Sequence, residues 1–352
     1  MRHEPAATVH LERNDAEYRA LVDGCGLIDR SERGKLALSG PEAVEFLNGQ
    51  VTNELSTLRP GDGCYAAFLT HKGKMLGDLR ILAVGDDPAG APSELLLDTE
   101  RVALQGLFDM IRRFKVGYEV DLHKRTLERG LLSVVGPEQG MAALRSLTSA
   151  DELPDVEHAH EPVELDGMRA IAVRSDVGID LICQASDRER LTALLRARGA
   201  VAVGEQAVEC LRIERGRPRY GVDLDDTVIP QEAGLNERAV SFSKGCYVGQ
   251  ETVARLHYRG RPNRHLRGLR LSETAEPGLE LRLGERPVGR LASSALSPRL
   301  GPIGLALLRR EAEPGARLTL GGHGASAEVV QLPFPGPETR RRADSAARPQ
   351  SV

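Results

Sequence analysis

One cysteine stands in a setting suited to reactivity. In SFSKGCYVGQETVARLHYRG, which begins at Ser241, Cys246 lies between Gly245 and Gly249. Such glycines permit tight turns or close approach of the backbone to a bound group. From Gln250 the sequence reads as a short helix, and the exposed N–H groups at its start favour a thiolate just ahead of it. Lys244 adds to that effect and Glu251 opposes it. The competing reading is a buried structural cysteine. His257, eleven positions on, is too remote in sequence to be named as a base, so the pattern does not favour cysteine-hydrolase chemistry.

A second candidate is CLRIERGRPRYGVDLDDTVIPQEAGL. Arg212 and Glu214 alternate with Leu211 and Ile213, so in a strand they would face together. A carboxylate beside arginine stays ionised and can accept two hydrogen bonds from a planar amidine, the donor pattern of a pterin or a guanine. An internal Arg–Glu pair is the plain alternative. Arg217, Arg219 and Tyr220 follow at a turn, where they could meet a carboxylate-bearing ligand tail.

The third candidate is Asp78, in THKGKMLGDLR. Aspartate is a poor strand former, so here it either faces solvent or lines a cavity and holds an amine or ring nitrogen. Asn48, Gln50, Thr52 and Asn53 form a polar loop suited to orienting a heterocycle or to simple capping.

The elements that must position these groups follow from periodicity. Residues 35–38 alternate as a strand, and Gly40-Pro41 opens a helix carrying Val44, Phe46 and Leu47. A similar strand-then-helix unit recurs through Val135 and Pro137, and a looser one from Gly178 to Gly199. GDGCYAAFLTHKGKMLGDLRILAVGD reads as a hairpin turning at Lys72-Gly73. A strand over 94–97 precedes a helix from about Glu100 to Phe114, with Val102, Leu107, Ile111 and Phe114 on its buried face. His158 and His160 read as solvent residues of a short acidic loop. After Arg264 short alternating runs separated by Gly and Pro predict a small β-barrel ending near 333. The tail 334–352 reads as disordered.

At 352 residues the chain is long enough for two or three domains. Apolar residues make up 41% and charged residues 28%, and the net charge of -4 argues against a nucleic-acid scaffold. Its five cysteines are scattered without Cys-x-x-Cys, which is neither a disulfide framework nor a zinc site. No stably bound metal is expected, and no stretch is apolar enough to span a membrane. A reducing cytoplasm fits best.

Several motifs in order, LSGPEAVEFLNGQVTNEL, THKGKMLGDL, LRIERGRPRYGVDL, IPQEAGL and KGCYVGQE, resemble the YgfZ-type folate-binding proteins, relatives of the glycine cleavage T-protein. The resemblance covers nearly the whole chain. It implies an α+β fold of duplicated subdomains forming an aminomethyltransferase-like region over 1–264, with an internal boundary near 125, and a C-terminal β-barrel over 265–333. It implies tetrahydrofolate or a one-carbon derivative as cofactor. Glu214 would read the pterin, with Arg212, Asn53, Arg217, Tyr220, Lys244 and Gln250 in the binding set. Cys246 would occupy the signature cysteine position, and Asp78 matches the region of the T-protein aspartate that positions folate. HKGKMLGD lacks the double glycine and paired acids of the true transferase, and the T-protein lacks the KGCYVGQE cysteine.

The resulting expectation is a tetrahydrofolate-binding accessory protein for iron–sulfur cluster assembly or repair, particularly in enzymes modifying tRNA. Its partners would be folate and the assembly machinery or its client enzymes, without direct nucleic-acid binding. The alternatives are a folate-dependent aminomethyl or methyl transferase, which requires Asp78, and a non-catalytic scaffold with a vestigial pocket.

Overall fold

The computed structural model describes residues 6–137, 153–321 and 324–335. The helix expected after Pro137 and the tail beyond 335 lie outside the described residues. The chain divides into two compact units, Met1–Val208 with Arg219–Arg261, and Glu209–Pro218 with Pro262–Val352.

The first unit opens with α1 (Ala6–Val22) and β1 (Gly26–Asp29). There follow β2 (Gly34–Ser39), α2 (Ala43–Asn48), β3 (Gly63–Leu69), β4 (Met75–Val84), β5 (Glu94–Thr99), α3 (Leu104–Phe114) and β6 (Asp121–Lys124). Among the described residues these strands make a five-stranded antiparallel sheet in the order β3-β4-β5-β2-β6. The unit continues through β7 (Arg129–Val135), β8 (His160–Leu165), β9 (Met168–Ser175), β10 (Gly178–Gln184), α4 (Arg188–Ala197) and β11 (Val201–Ala202). The second sheet runs β11-β1-β7-β10-β9-β8.

The duplication is visible in the topology, since β3-β4-β5-β2 is repeated as β8-β9-β10-β7. Both sheets are apolar on two faces. Ala37, Leu82 and Leu96 pack against Leu131, Val173 and Ile182, one residue from each strand of three equivalent pairs. On the opposite face of the first sheet, Leu36, Leu38 and Leu79 meet Phe46 and Leu47 of α2 and Leu107 and Ile111 of α3. The second sheet presents Leu132, Val134 and Leu181 to Leu191 and Leu195 of α4. Leu107 with Ile111 and Leu191 with Leu195 lie at the i, i+4 spacing that aligns side chains on one face.

In α3 only Leu107 and Ile111 of the four expected core residues are buried; Val102 and Phe114 are exposed. The helix begins at Leu104, so Val102 lies outside its register.

Arg212 and Glu214 also lie on a helix, α5 (Glu205–Glu214), and not on a strand. Buried Ala207, Cys210, Leu211 and Glu214 repeat at helical spacing, which overrides the short alternation around Ile213. The first unit then supplies α6 (Asn236–Ala239) and α7 (Gln250–Arg259).

The second unit contains β12 (Arg264–Leu271), β13 (Glu280–Leu283), β14 (Arg286–Ser297), β15 (Gly301–Arg309), β16 (Arg317–Leu320) and β17 (Ala325–Val330). They close into a barrel in the order β12-β15-β14-β13-β16-β17, with β17 pairing back onto β12. Leu269, Leu291, Leu308, Leu318 and Val329 fill it. Phe334, assigned above to a disordered tail, is instead buried with Ile213, Leu266 and Ile303, and its N–H donates to the Glu214 carbonyl at 2.9 Å. Among the described residues no helix is long and apolar enough to cross a membrane.

Candidate functional site

The hairpin β3–β4 places Asp78 opposite Ala67 and Arg80 opposite Tyr65. Tyr65 and Asp78 are therefore diagonal neighbours on one face of the hairpin, within reach of a long aromatic side chain. The Tyr65 hydroxyl donates to the Asp78 carboxyl. Asp78 is 5% exposed, which removes the solvent-facing alternative. Burial pushes its pKa up from 3.8 to about 6, and nearby Glu100 adds to the rise. The Tyr65 hydrogen bond and the cations Arg33 and Arg238 hold it back. Thr99 Oγ1 donates to the Asp78 carbonyl at 2.5 Å and fixes the strand locally.

Charged groups surround this pair. Arg33 Nε donates to Asp98 at 2.9 Å, and its other nitrogen pairs with Glu100. Arg80 pairs with Asp98 at 3.0 Å and with Asp180 of the second sheet at 2.6 Å. The Arg238 guanidinium lies 5.0 Å from the centre of the Tyr65 ring and is paired with Glu157. His158 brings its ring within 6.4 Å of the same tyrosine. The expectation of two solvent histidines is thus corrected: His160 is buried at the start of β8, and His158 is 12% exposed, enclosed by its tertiary neighbours. Local polarity in the loop carried no sign of that enclosure.

Asn53 joins this cluster through its side-chain amide, which donates to the Tyr65 carbonyl at 2.9 Å and the Arg238 carbonyl at 3.2 Å. Tyr220 lies close enough for the Asp78 charge to raise its pKa, after burial and Asp226 and Asp225.

Lys244 is reassigned. Its ammonium donates to the carbonyls of Asn48, Val51 and Asn53 at 2.6, 2.9 and 2.6 Å. An ammonium has three donors, so none is left for a cofactor in this arrangement. Burial lowers its pKa to about 8, which leaves it protonated near neutrality. Its task is to hold the 48–53 loop, and through Asn53 it supports Tyr65.

The Cys246 segment lies on the same loop and on the hairpin turn. Val248 N–H donates to Gly49 O at 3.3 Å. Gly249, with φ of 84°, brings its backbone so near the turn that an added Cβ would fall 2.5 Å from Thr70 O. Only glycine suits both demands. Gln250 opens α7 and its side chain donates to Gly245 O at 3.4 Å. Cys246 itself is exposed, whereas Cys25, Cys183 and Cys210 are buried and Cys64 is half-buried.

Glu214, Arg212 and Arg217 belong to the second unit. The Glu214 carboxylate accepts from Ser297 Oγ at 2.5 Å and from Arg299 at 2.9 Å. Arg212 reaches Glu209 at 2.8 Å, Ser293 Oγ at 2.8 Å and the Arg217 carbonyl at 2.5 Å. Within this unit both groups take part in helix-to-barrel hydrogen bonding.

Sequence reasoning missed Tyr65, Arg238, Arg33 and His158. Tyr65 was reachable from the hairpin register alone, since turning at Lys72-Gly73 sets it near Asp78. Two buried polar atoms of side chains beside the Tyr65 ring, Arg238 Nε and His158 Nδ1, have no partner. Such atoms are costly in an empty site and suit a ligand rich in heteroatoms. Among the described residues no group of three or more His, Cys, Asp or Glu could hold a metal.

Comparison with known proteins agrees with this architecture. The model of the GCVT N-terminal domain matches residues 6–244. An aminomethyltransferase of Streptomyces coelicolor is 29% identical over 336 residues, covering 90% of this chain and 88% of the relative. A chloroplastic protein of Arabidopsis thaliana is 26% identical over 337 residues, covering 94% and 76%. The crystal structure of the glycine cleavage system aminomethyltransferase T from Bartonella henselae superimposes with a TM-score of 0.78 at 23% identity, covering 91% and 89% of the two chains. At that identity the likeness speaks for the fold. With two thirds of its length matched by the family model, the chain belongs to the family defined by the GCVT N-terminal domain, the aminomethyltransferase-like proteins.

Proposed function

We propose that the chain binds tetrahydrofolate or a one-carbon derivative and transfers an aminomethyl or methyl carbon, with Asp78 as the proton-handling group. The observation that carries this reading is the buried Asp78 carboxyl, bonded to Tyr65 and pushed up to about 6. Tetrahydrofolate supplies weakly basic amine nitrogens able to hold a one-carbon unit. Near neutrality a carboxyl of this kind is available in both protonation states, so it can give a proton to such a nitrogen or take one from it. Ionised, it also stabilises positive charge developing on that nitrogen where water is excluded. Tyr65 orients the carboxyl, and Arg33 and Arg238 keep its pKa from rising further. The unpartnered polar atoms of Arg238 and His158, whose side chains border the Tyr65 ring, fit a heteroatom-rich cofactor.

The exposure of Cys246 favours a second reading, the one attached to its KGCYVGQE setting. In it the chain binds folate but acts as an accessory to iron–sulfur cluster assembly or repair, with Cys246 as the partner-reactive thiol.

Anaerobic titration with tetrahydrofolate tests the shared premise, and turnover with an aminomethyl-bearing amine separates the two readings. The expected result is micromolar binding, with Asp78→Asn binding within about threefold of wild type but turning over roughly a hundredfold more slowly. Binding without turnover moves the function to the accessory reading. Folded protein that does not bind overturns both.

A further inference from the structure

Two side chains that flank Tyr65, Arg238 and His158, meet one carboxylate oxygen and each keeps a buried polar atom unpartnered. Glu157 Oε1 pairs with an Arg238 terminal nitrogen and lies 3.7 Å from His158 Nε2. Arg238 Nε and His158 Nδ1 have no hydrogen-bond partner. Both side chains border the same aromatic ring, Arg238 with its guanidinium carbon 5.0 Å from the Tyr65 centroid and His158 with ring centroids 6.4 Å apart.

The position of His158 is built and not incidental. Its backbone has φ of 75°, a left-handed conformation uncommon outside glycine. Its N–H donates to Arg174 O at 2.9 Å. Gly63 lets β3 approach so closely that an added Cβ would lie 2.6 Å from His158 O. Residues held in such conformations by surrounding structure concentrate at functional sites. Burial, with Arg80 and Arg238 nearby, pushes the imidazole down to about 3, so it is neutral. The Glu157 carboxylate near Nε2 favours the proton on that nitrogen, and Nδ1 is then an acceptor. Arg238 Nε can only donate.

We propose that Arg238 Nε and His158 Nδ1 are the donor and acceptor that hold an amide group of the ligand beside Tyr65. An amide presents a carbonyl oxygen for the arginine and an N–H for the histidine. Both atoms are closed to bulk water, and the Arg238 side chain that carries one of them is itself 27% exposed, on the side from which a ligand would enter in this proposal. The inference rests on the folate reading above and specifies which groups recognise that ligand. Tetrahydrofolate carries two such amides, the lactam of its pterin and the benzoyl–glutamyl link.

The test is anaerobic titration of the full chain with tetrahydrofolate and two analogues. The 4-amino analogue reverses donor and acceptor on the pterin edge, and tetrahydropteroate lacks the benzoyl–glutamyl amide. Wild type is expected to bind tetrahydrofolate about tenfold or more tightly than one of these analogues, and which one identifies the amide. Arg238→Met and His158→Gly are each expected to erase that preference, while His158→Asn, which tolerates the same backbone and keeps a polar atom near the Nδ1 position, restores part of it. Should Arg238→Met fail to fold, Arg238→Lys decides, since it keeps the charge near Glu157 and lacks the Nε donor. Folded variants with the wild-type preference, or a wild type that discriminates against neither analogue, overturn the inference and leave folate binding standing. Failure of wild type to bind tetrahydrofolate overturns both.

Discussion

Tyr65 and Asp78 meet diagonally across the β3–β4 hairpin, the hydroxyl of one donating to the carboxyl of the other. Two consequences follow from that pairing. The strand register, set by the turn at Lys72-Gly73 together with the bulge at Phe68–Leu69, determines which aromatic residue reaches the acid. A one-residue slip would turn Asp78 to the other face of the sheet. The hydrogen bond also favours the ionised carboxylate, while burial favours the neutral acid, and burial wins.

The first prediction is a pH-dependent stability. The folded pKa of Asp78, about 6, lies above its ordinary 3.8, so the folded state favours the protonated form. The stabilisation linked to that proton is fully present below about pH 4 and is lost as pH rises through about 6. A shift of about two units corresponds to about 3 kcal/mol. Asp78→Asn retains an acceptor for Tyr65 without the charge. It is expected to be more stable than wild type at pH 8 by up to about 3 kcal/mol and nearly equal to it at pH 3.5. Denaturant titrations at the two pH values check this, and an equal difference at both would contradict it.

Legibility in the sequence followed the range of the interactions. The hairpin, the strand-then-helix units and the barrel runs are written in local periodicity, and Asp78 was conspicuous because an acid is out of place in a strand. Glu214 was harder, because Leu211 and Ile213 alternate with Arg212 and Glu214 over a stretch too short to separate a period of two from helical spacing. Lys244 carried no local sign of its three carbonyl partners, all some 190 positions away in the chain. His158 and His160 looked like loop residues because burial by a second sheet is a tertiary fact. The glycines around Cys246 did announce a close approach, and Gly249 against Thr70 is that approach.

Lys244 yields the second prediction. Lys244→Met removes all three donors and leaves carbonyls of the 48–53 loop without partners. The expected cost is about 3 kcal/mol, since a buried group left unsatisfied costs about 1–3 kcal/mol and two of these acceptors are only partly enclosed. Folate affinity measured well below the melting temperature is expected to fall modestly, through Asn53 and Tyr65. A large loss of affinity with unchanged stability would instead mark Lys244 as a ligand contact.

The third prediction concerns the link between the two sheets. Arg80 bridges Asp98 and Asp180, with the 2.6 Å pair crossing from one sheet to the other. Removing one partner of a buried pair leaves the other charge poorly compensated, whereas replacing both with apolar groups need not be costly. Asp180→Leu is therefore expected to cost roughly 3 kcal/mol or somewhat less, because Asp98 still faces Arg80. The double change Arg80→Leu with Asp180→Leu is expected to recover part of that loss. Additive effects in the cycle would mean the contact contributes no coupling.

The last prediction isolates Cys246. Burial pushes the Cys25 thiol up to about 11 and those of Cys64 and Cys210 to about 12, which suppresses their thiolates as well as hiding them. Cys183 is raised by the same cause. Thiol reagents attack the thiolate, and they need access to it. Brief alkylation of the native chain near neutral pH is accordingly expected to label a single site, which peptide mapping places at Cys246 and which disappears in Cys246→Ser. Cys246 is exposed, and serine keeps its size and polarity, so tetrahydrofolate affinity is expected to survive the serine change. If turnover also survives, the thiol is dispensable for one-carbon transfer. If turnover is absent throughout and the serine variant fails to support iron–sulfur enzymes in cells, the accessory reading gains a residue that connects it to a partner's chemistry.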